Sequence, residues 1–176
     1  FDVTVMAPSP VAAVSGDNSI CALQSAGYTV PDNAGSSYSW TVPTGAVIIG
    51  NPGLASVTVT FGTVSGDVFV RETNAAGCIT NHTPIHVTVL PLPSAIISNS
   101  GTICAEGTHP INISLTGTSP WTVVYTINGA VQPPLNIAAS PYTLNANLAG
   151  NYTITSVTDF NGCTNAGVGN ATVSHF

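Results

Sequence analysis

The stretch Ala55-Ser56-Val57-Thr58-Val59-Thr60-Phe61 alternates apolar and polar residues without a break. A period of two puts Val57, Val59 and Phe61 on one face of an extended chain and Ser56, Thr58 and Thr60 on the other, the pattern of a strand with one face in a core and one in water. The same alternation recurs in Asp67 to Glu72 through Val68 and Val70, and again in Ile85 to Val89, Ile111 to Leu115, Tyr152 to Val157 and Ala171 to Val173. Between these runs lie turn-forming clusters such as Val64-Ser65-Gly66-Asp67, Gln132-Pro133-Pro134 and Ile127-Asn128-Gly129-Ala130. The Asn128-Gly129 pair predicts a tight hairpin, because both residues tolerate positive φ. No window carries a 3.6-residue apolar repeat, so the chain reads as all-β.

Composition agrees. Of 176 residues, 23 are Thr, 20 Val, 17 Ser and 15 Asn, while there are 2 Glu, 2 Gln, 1 Met and no Lys among the helix formers. Charged residues make up 5%, against about 25% in an ordinary soluble protein. With Arg71 as its one cation and a net charge of −6, the chain has nothing with which to neutralise a row of phosphates, which excludes nucleic-acid binding and attachment to an anionic membrane. Its hydrophobic share of 44% is enough for packed cores. Yet no apolar run approaches the roughly 18 residues of a spanning helix. The chain opens at Phe1 with no basic segment leading into an apolar one, and reads as a piece of something longer.

An internal repeat sets the domain plan. The first half carries Ser19-Ile20-Cys21, Ser39-Trp40-Thr41-Val42 and Thr73-Asn74-Ala75-Ala76-Gly77-Cys78; the second carries Thr102-Ile103-Cys104, Pro120-Trp121-Thr122-Val123 and Thr158-Asp159-Phe160-Asn161-Gly162-Cys163. The spacings are Cys-x18-Trp-x37-Cys and Cys-x16-Trp-x41-Cys. Between them, Leu90-Pro91-Leu92-Pro93 has proline at alternate positions, which favours an extended connection. The reading is two tandem immunoglobulin-like β-sandwich domains, residues 1–90 and 94–176, joined by a proline linker at 91–93.

Four cysteines allow three pairings. Two per repeat selects Cys21 with Cys78 and Cys104 with Cys163, so each domain is expected to hold one intradomain disulfide, worth about 4 kcal/mol by loop closure. That implies an oxidising compartment. The alternative is four reduced, buried thiols; zinc is disfavoured because no close Cys pair exists and His82, His86, His109 and His175 are scattered. Trp40 and Trp121 lie between the paired cysteines and are read as core aromatics resting on the cystines, with an exposed sugar-stacking platform as the functional alternative. The tyrosine that immunoglobulin domains carry two residues before the second cysteine is replaced by Ala76 and Asn161.

The run from Tyr28-Thr29-Val30-Pro31 through Ser37-Tyr38-Ser39-Trp40-Thr41-Val42-Pro43-Thr44-Gly45-Ala46, followed by Val57-Thr58-Val59-Thr60-Phe61-Gly62, resembles the PKD-like repeat of secreted Bacteroidetes surface proteins. The second half, with Leu115 to Val123 and Tyr152 to Asp159 before Asn161-Gly162-Cys163, is similar to the companion repeat of the same giant proteins. The resemblance implies a structural or adhesive module on the bacterial cell surface, such as a repeat of the gliding-motility adhesin exported by type IX secretion. Flanking repeats of the same chain are then its first partners, and surface polysaccharide a further one.

Chemistry is thinly provided for. The carboxylates Asp2, Asp17, Asp32, Asp67, Glu72, Glu106 and Asp159 form no recognisable catalytic spacing, and there is no Gly-x-Ser-x-Gly elbow. The chain is expected not to be an enzyme and to need no cofactor. Calcium is the one ion with candidate ligands, Asp17-Asn18 and Asp32-Asn33 in loops, although solvated or self-capping turn residues explain both. Arg71 and Glu72 are adjacent on a strand and so point to opposite faces. The alternative function is a carbohydrate-binding or spacer module attached to a secreted enzyme.

Overall fold

The computed structural model describes residues 7–104 and 106–176. The chain divides into two compact units, Phe1–Leu90 and Pro91–Phe176, and among the described residues every regular element is a strand.

Unit 1 contains β1 (Ser15–Gly16), β2 (Ser19–Cys21), β3 (Ser25–Thr29), β4 (Ser37–Thr41), β5 (Val47–Ile49), β6 (Ser56–Thr60), β7 (Gly66–Thr73), β8 (Ile79–Asn81) and β9 (Ile85–Leu90). They form two sheets, β1-β3-β6-β5 and β2-β9-β7-β4, with β8 paired to β7. All pairings are antiparallel except β2 with β9, where Cys21 stands opposite Leu90. The two sheets bury the inward faces that the alternation marks: Val57, Val59 and Phe61 from one, Trp40, Val68, Val70 and Val87 from the other. Tyr28 meets Phe61 edge to face at 5.9 Å, a geometry aromatic quadrupoles favour.

Unit 2 repeats the plan with β10 (Ser94–Ser98), β11 (Gly101–Ile103), β12 (His109–Thr116), β13 (Trp121–Ile127), β14 (Ala130–Val131), β15 (Leu135–Ile137), β16 (Tyr142–Ala146), β17 (Gly150–Thr158), β18 (Thr164–Asn165) and β19 (Ala171–His175). Its sheets are β10-β12-β16 and β11-β19-β17-β13-β14, with β15 on β13 and β18 on β17. Again one pairing is parallel, β11 with β19. Asn128 and Gly129 take φ of 51° and 82° in the two-residue turn that joins β13 to β14, where Ile127 faces Ala130. The core gathers Ile97, Ile111, Ile113, Trp121, Val123 and Val157 with their neighbours.

The cysteines depart from the expected pairing. In unit 1, Cys21 is disulfide-bonded, but Cys78 takes no part in that bridge. The reason is topological. Cys21 lies beside Leu90, beyond the Gly66 end of β7, because β9 runs antiparallel to β7 with Val87 opposite Gly66. Cys78 lies in the turn after the other end of β7, where Ile79 pairs back onto Thr73. The strand alone spans about 24 Å at roughly 3.4 Å per residue, whereas a disulfide needs Cα atoms within about 7 Å.

Unit 2 repeats the separation. Cys104 follows β11, whose Ile103 stands opposite His175 beyond the Gly150 end of β17, and Cys163 lies in the turn after Thr158. About 27 Å of strand lies between at the same rise. Cys163 is disulfide-bonded and Cys104 is an exposed thiol, so the expected Cys104–Cys163 bridge is not formed. Neither tryptophan rests on a cystine of its own sandwich. Trp40 and Trp121 are instead buried with their indole N–H groups donating to the carbonyls of Leu54 at 2.8 Å and Thr116 at 3.0 Å.

Candidate functional site

The most concentrated polar chemistry in the described residues surrounds Glu72, whose side chain is wholly buried. Its place follows from strand parity: Val68, Val70 and Glu72 share the inward face of β7, while Arg71 points to solvent. Four side chains from three other segments donate to the carboxylate. Ser9 Oγ and Ser36 Oγ each donate to Oε1 at 2.6 Å. Asn33 Nδ2 reaches both oxygens at 3.1 Å, and His82 Nε2 donates to Oε2 at 3.1 Å. The amide of Ala12 donates to His82 Nδ1 at 3.1 Å. With Nδ1 accepting, the proton sits on Nε2 and the imidazole is neutral.

A buried carboxylate with no cation against it must be stabilised by dipoles. Burial alone pushes Glu72 upward, and the hydrogen bonds from Ser36, Ser9, Asn33 and His82 outweigh that and hold it below the usual glutamate range. Tyr38 borders the cage. Its hydroxyl accepts from the Asn33 amide at 2.8 Å and donates toward Pro31 O at 3.2 Å; burial first, and the charges of Glu72 and Asp32, push the phenol's pKa above its ordinary value. The arrangement holds a charge rather than activating a nucleophile. Both serines spend their protons on the carboxylate, the two ring nitrogens of His82 are bonded to Glu72 and the Ala12 amide, and Glu72 and His82 are buried away from any substrate.

The second recurring device presents the turn cysteines. Asn74 Oδ1 accepts from the amides of Ala76 at 3.0 Å and Cys78 at 2.9 Å, and Asp159 Oδ1 accepts from Asn161 at 3.0 Å and Cys163 at 3.1 Å. The backbone bonds match as well: Asn74 N to Cys78 O and Asp159 N to Cys163 O, both 3.0 Å. Gly77 and Gly162 take φ of 82° and 80°, a region that costs glycine nothing. The shared Asn/Asp-x-x-Gly-Cys stretch is thus one turn made twice.

The calcium candidates are not brought together. Asp17 accepts the Tyr28 hydroxyl on its main-chain oxygen at 2.9 Å, and burial with the nearby Asp17 charge pushes that phenol up to about 12. Asp32 lies 3.4 Å from the Tyr38 hydroxyl. Among the described residues, no three His, Cys, Asp or Glu side chains gather as metal ligands. A shallow groove of about 410 Å³ on the outer face of β3-β6-β5, lined by Gly27, Ile49, Leu54 and Thr58, carries no charged side chain.

Neither Glu72 nor His82 stands among the candidate site residues that the sequence offers. Parity was the available signal, since a glutamate in register with Val68 and Val70 is an inward carboxylate. Nothing local marked Ser9, Asn33, Ser36 and His82 as its partners, because they lie between 10 and 63 residues away.

These features can be set beside known proteins. Residues 7–87 match the family model described as a PKD-like domain. No curated protein matches the chain. Among solved structures it is similar to a marsupial T cell receptor, at 16% identity over 92% of this chain and 71% of that one, with a TM-score of 0.51. It is also similar to a three-Ig fragment of titin, at 13% identity over 94% of this chain and 66% of that one, TM-score 0.49. A third is the insect immune protein hemolin, at 15% identity over 99% of this chain and 49% of that one, TM-score 0.48. The chain spans about two thirds of the titin fragment's length and about half of hemolin's. The protein is all-β with an immunoglobulin-like fold, and its first half is similar to PKD-like domains.

Proposed function

We propose that this chain is a non-catalytic structural module of a long extracellular bacterial surface protein: two tandem PKD-like and immunoglobulin-like beads, residues 1–90 and 94–176 with 91–93 as linker, in a fibre or stalk. The observation that carries the reading is the placement of cysteines at opposite ends of each unit, about 24 and 27 Å of strand apart. A cysteine so placed cannot close its own bead, and suits bridges that join beads in series. Cys104 holds in unit 2 the place that Cys21 holds in unit 1, and Cys78 the place that Cys163 holds in unit 2. All four cysteines are therefore assigned to serial bridges. In each, two thiols surrender two protons and two electrons to a disulfide oxidant, oxidised glutathione in vitro.

The parent is read as secreted cargo of the type IX pathway, of the adhesin kind found in gliding bacteria, with flanking repeats as the first partners. Surface polysaccharide remains the ligand class for the alternative reading as a spacer or carbohydrate-binding module of a secreted enzyme. The test is disulfide mapping. Chain purified without reductant, exposed to oxidised glutathione, alkylated and digested with pepsin is expected to yield dithiothreitol-sensitive multimers bridged through Cys104, absent in C104S. Peptides joining Cys21 to Cys78, or Cys104 to Cys163, would overturn the serial reading.

A further inference from the structure

The Glu72 cage ties down a segment of unit 1 that little else holds. From Ala7 to Val14 the one buried side chain is Val14; Ala7, Pro8, Pro10, Val11 and Ala13 are exposed. The attachment is polar. Ser9 Oγ donates to Glu72, Thr80 Oγ1 donates to Ser9 O at 2.9 Å, and Ala12 N donates to His82 Nδ1. Ala12 O accepts from Thr83 N and Val14 N donates to Thr83 O, both at 2.9 Å. Asn74 Nδ2 donates to Ala7 O at 3.0 Å. Two of these contacts run directly through the pair formed by Glu72 and His82.

We propose that the Glu72 carboxylate is an acid-released latch: when it takes up a proton, Ala7 to Val14 detaches from the region around β8 while the two sheets of unit 1 stay folded. The ionised group accepts from four donors. A neutral carboxyl carries a proton of its own, so it can no longer accept from all four donors at once. The segment with one apolar anchor yields first, because β7, β4 and the loop bearing Asn33 and Ser36 belong to the packed body. The titratable groups facing Glu72 are His82 and, across the Tyr38 hydroxyl, Asp32; Arg71 lies on the opposite, exposed face and gives no compensating charge. The sign follows from a carboxylate held low in the folded state: its contribution is complete above the ordinary value of 4.5 and is lost as pH falls through the folded value, so release belongs below about 4.5.

Amide resonances of Ala12, Val14 and Thr83, followed by 15N–1H NMR from pH 7 to pH 3, read the latch directly, with Val59 and Val70 reporting the body. The expected result is that the first three leave their native positions at a higher pH than the last two. E72Q should show them displaced at pH 7. Should E72Q not fold, S9A and S36A serve: each removes one donor to the carboxylate and should move the midpoint upward by about one pH unit. Loss of all five resonances at one midpoint, or midpoints unmoved by S9A and S36A, would overturn the latch.

Discussion

Glu72 shows how far a single side chain depends on its donors. In E72A, Ser9, Ser36, Asn33 and His82 keep their hydrogen-bonding groups but lose the acceptor they share, with His82 buried and the other three half-buried. Leaving such neutral donors without their acceptor costs about 1–3 kcal/mol. Urea denaturation at pH 7, followed by the fluorescence of Trp40, is expected to show a loss of that size. R71A, one residue away and exposed, is expected to change stability by less than about 0.5 kcal/mol. Asp159 invites a parallel test. Its two oxygens take amide protons from Asn161, Cys163 and Thr118, so D159A should cost unit 2 about 2 kcal/mol. In the same denaturation measured at Trp121, the equivalent change in unit 1, N74A, should leave that transition where it is.

At the scale of strands and turns, the glycines separate into two kinds. Gly167 packs so closely that a methyl group there would press on the Ile154 side chain and meet its carbonyl oxygen at 2.7 Å. Gly27, on β3, has nothing within 4 Å of the same position. G167A is therefore expected to destabilise unit 2 by about 1–3 kcal/mol through overpacking. G27A is expected to be neutral or to stabilise unit 1 by up to about 1 kcal/mol, since a strand position with open space gains from a stiffer unfolded chain. Thermal melts of the two variants check both signs. The strands themselves were the most readable part of the chain: period-two runs at Val57 to Phe61 and Val68 to Val70 are where β6 and β7 form. What pattern alone does not carry is where strand ends lie in space. Cys21 and Cys78 share a repeat, but the parallel pairing of β2 with β9 sends the first to one end of β7 and the hairpin into β8 sends the second to the other. Long-range pairing, absent from local periodicity, decides which sulfurs can meet.

For the molecule as a whole, this changes what stabilises a bead. A bridge closing Cys104 onto Cys163 would contribute about 4 kcal/mol to unit 2, and C104S would remove all of it. With Cys104 an exposed thiol at the far end of the strand from Cys163, the same substitution is expected to cost less than about 0.5 kcal/mol, read by urea denaturation of unit 2. Each sandwich must then stand on its own packing, which for unit 2 centres on Ile97, Ile111, Ile113, Val123 and Val157. The legible part of the candidate site was the pair of cysteine turns, repeated in sequence as Asn/Asp-x-x-Gly-Cys. The cage was not legible, because its donors come from three separate stretches that only the closed fold gathers.

Arg71 faces Ser39 on one side and Asn81 on the other, within a strand hydrogen-bonded along both edges. Trypsin needs a locally unwound stretch at the bond it cuts, and no other residue of this chain offers it a lysine or arginine. The native protein is accordingly a poor substrate with one hidden nick site. The rate at which that single peptide bond is severed in mild denaturant counts the openings of unit 1 one by one, and leaves unit 2 in one piece as its own internal standard.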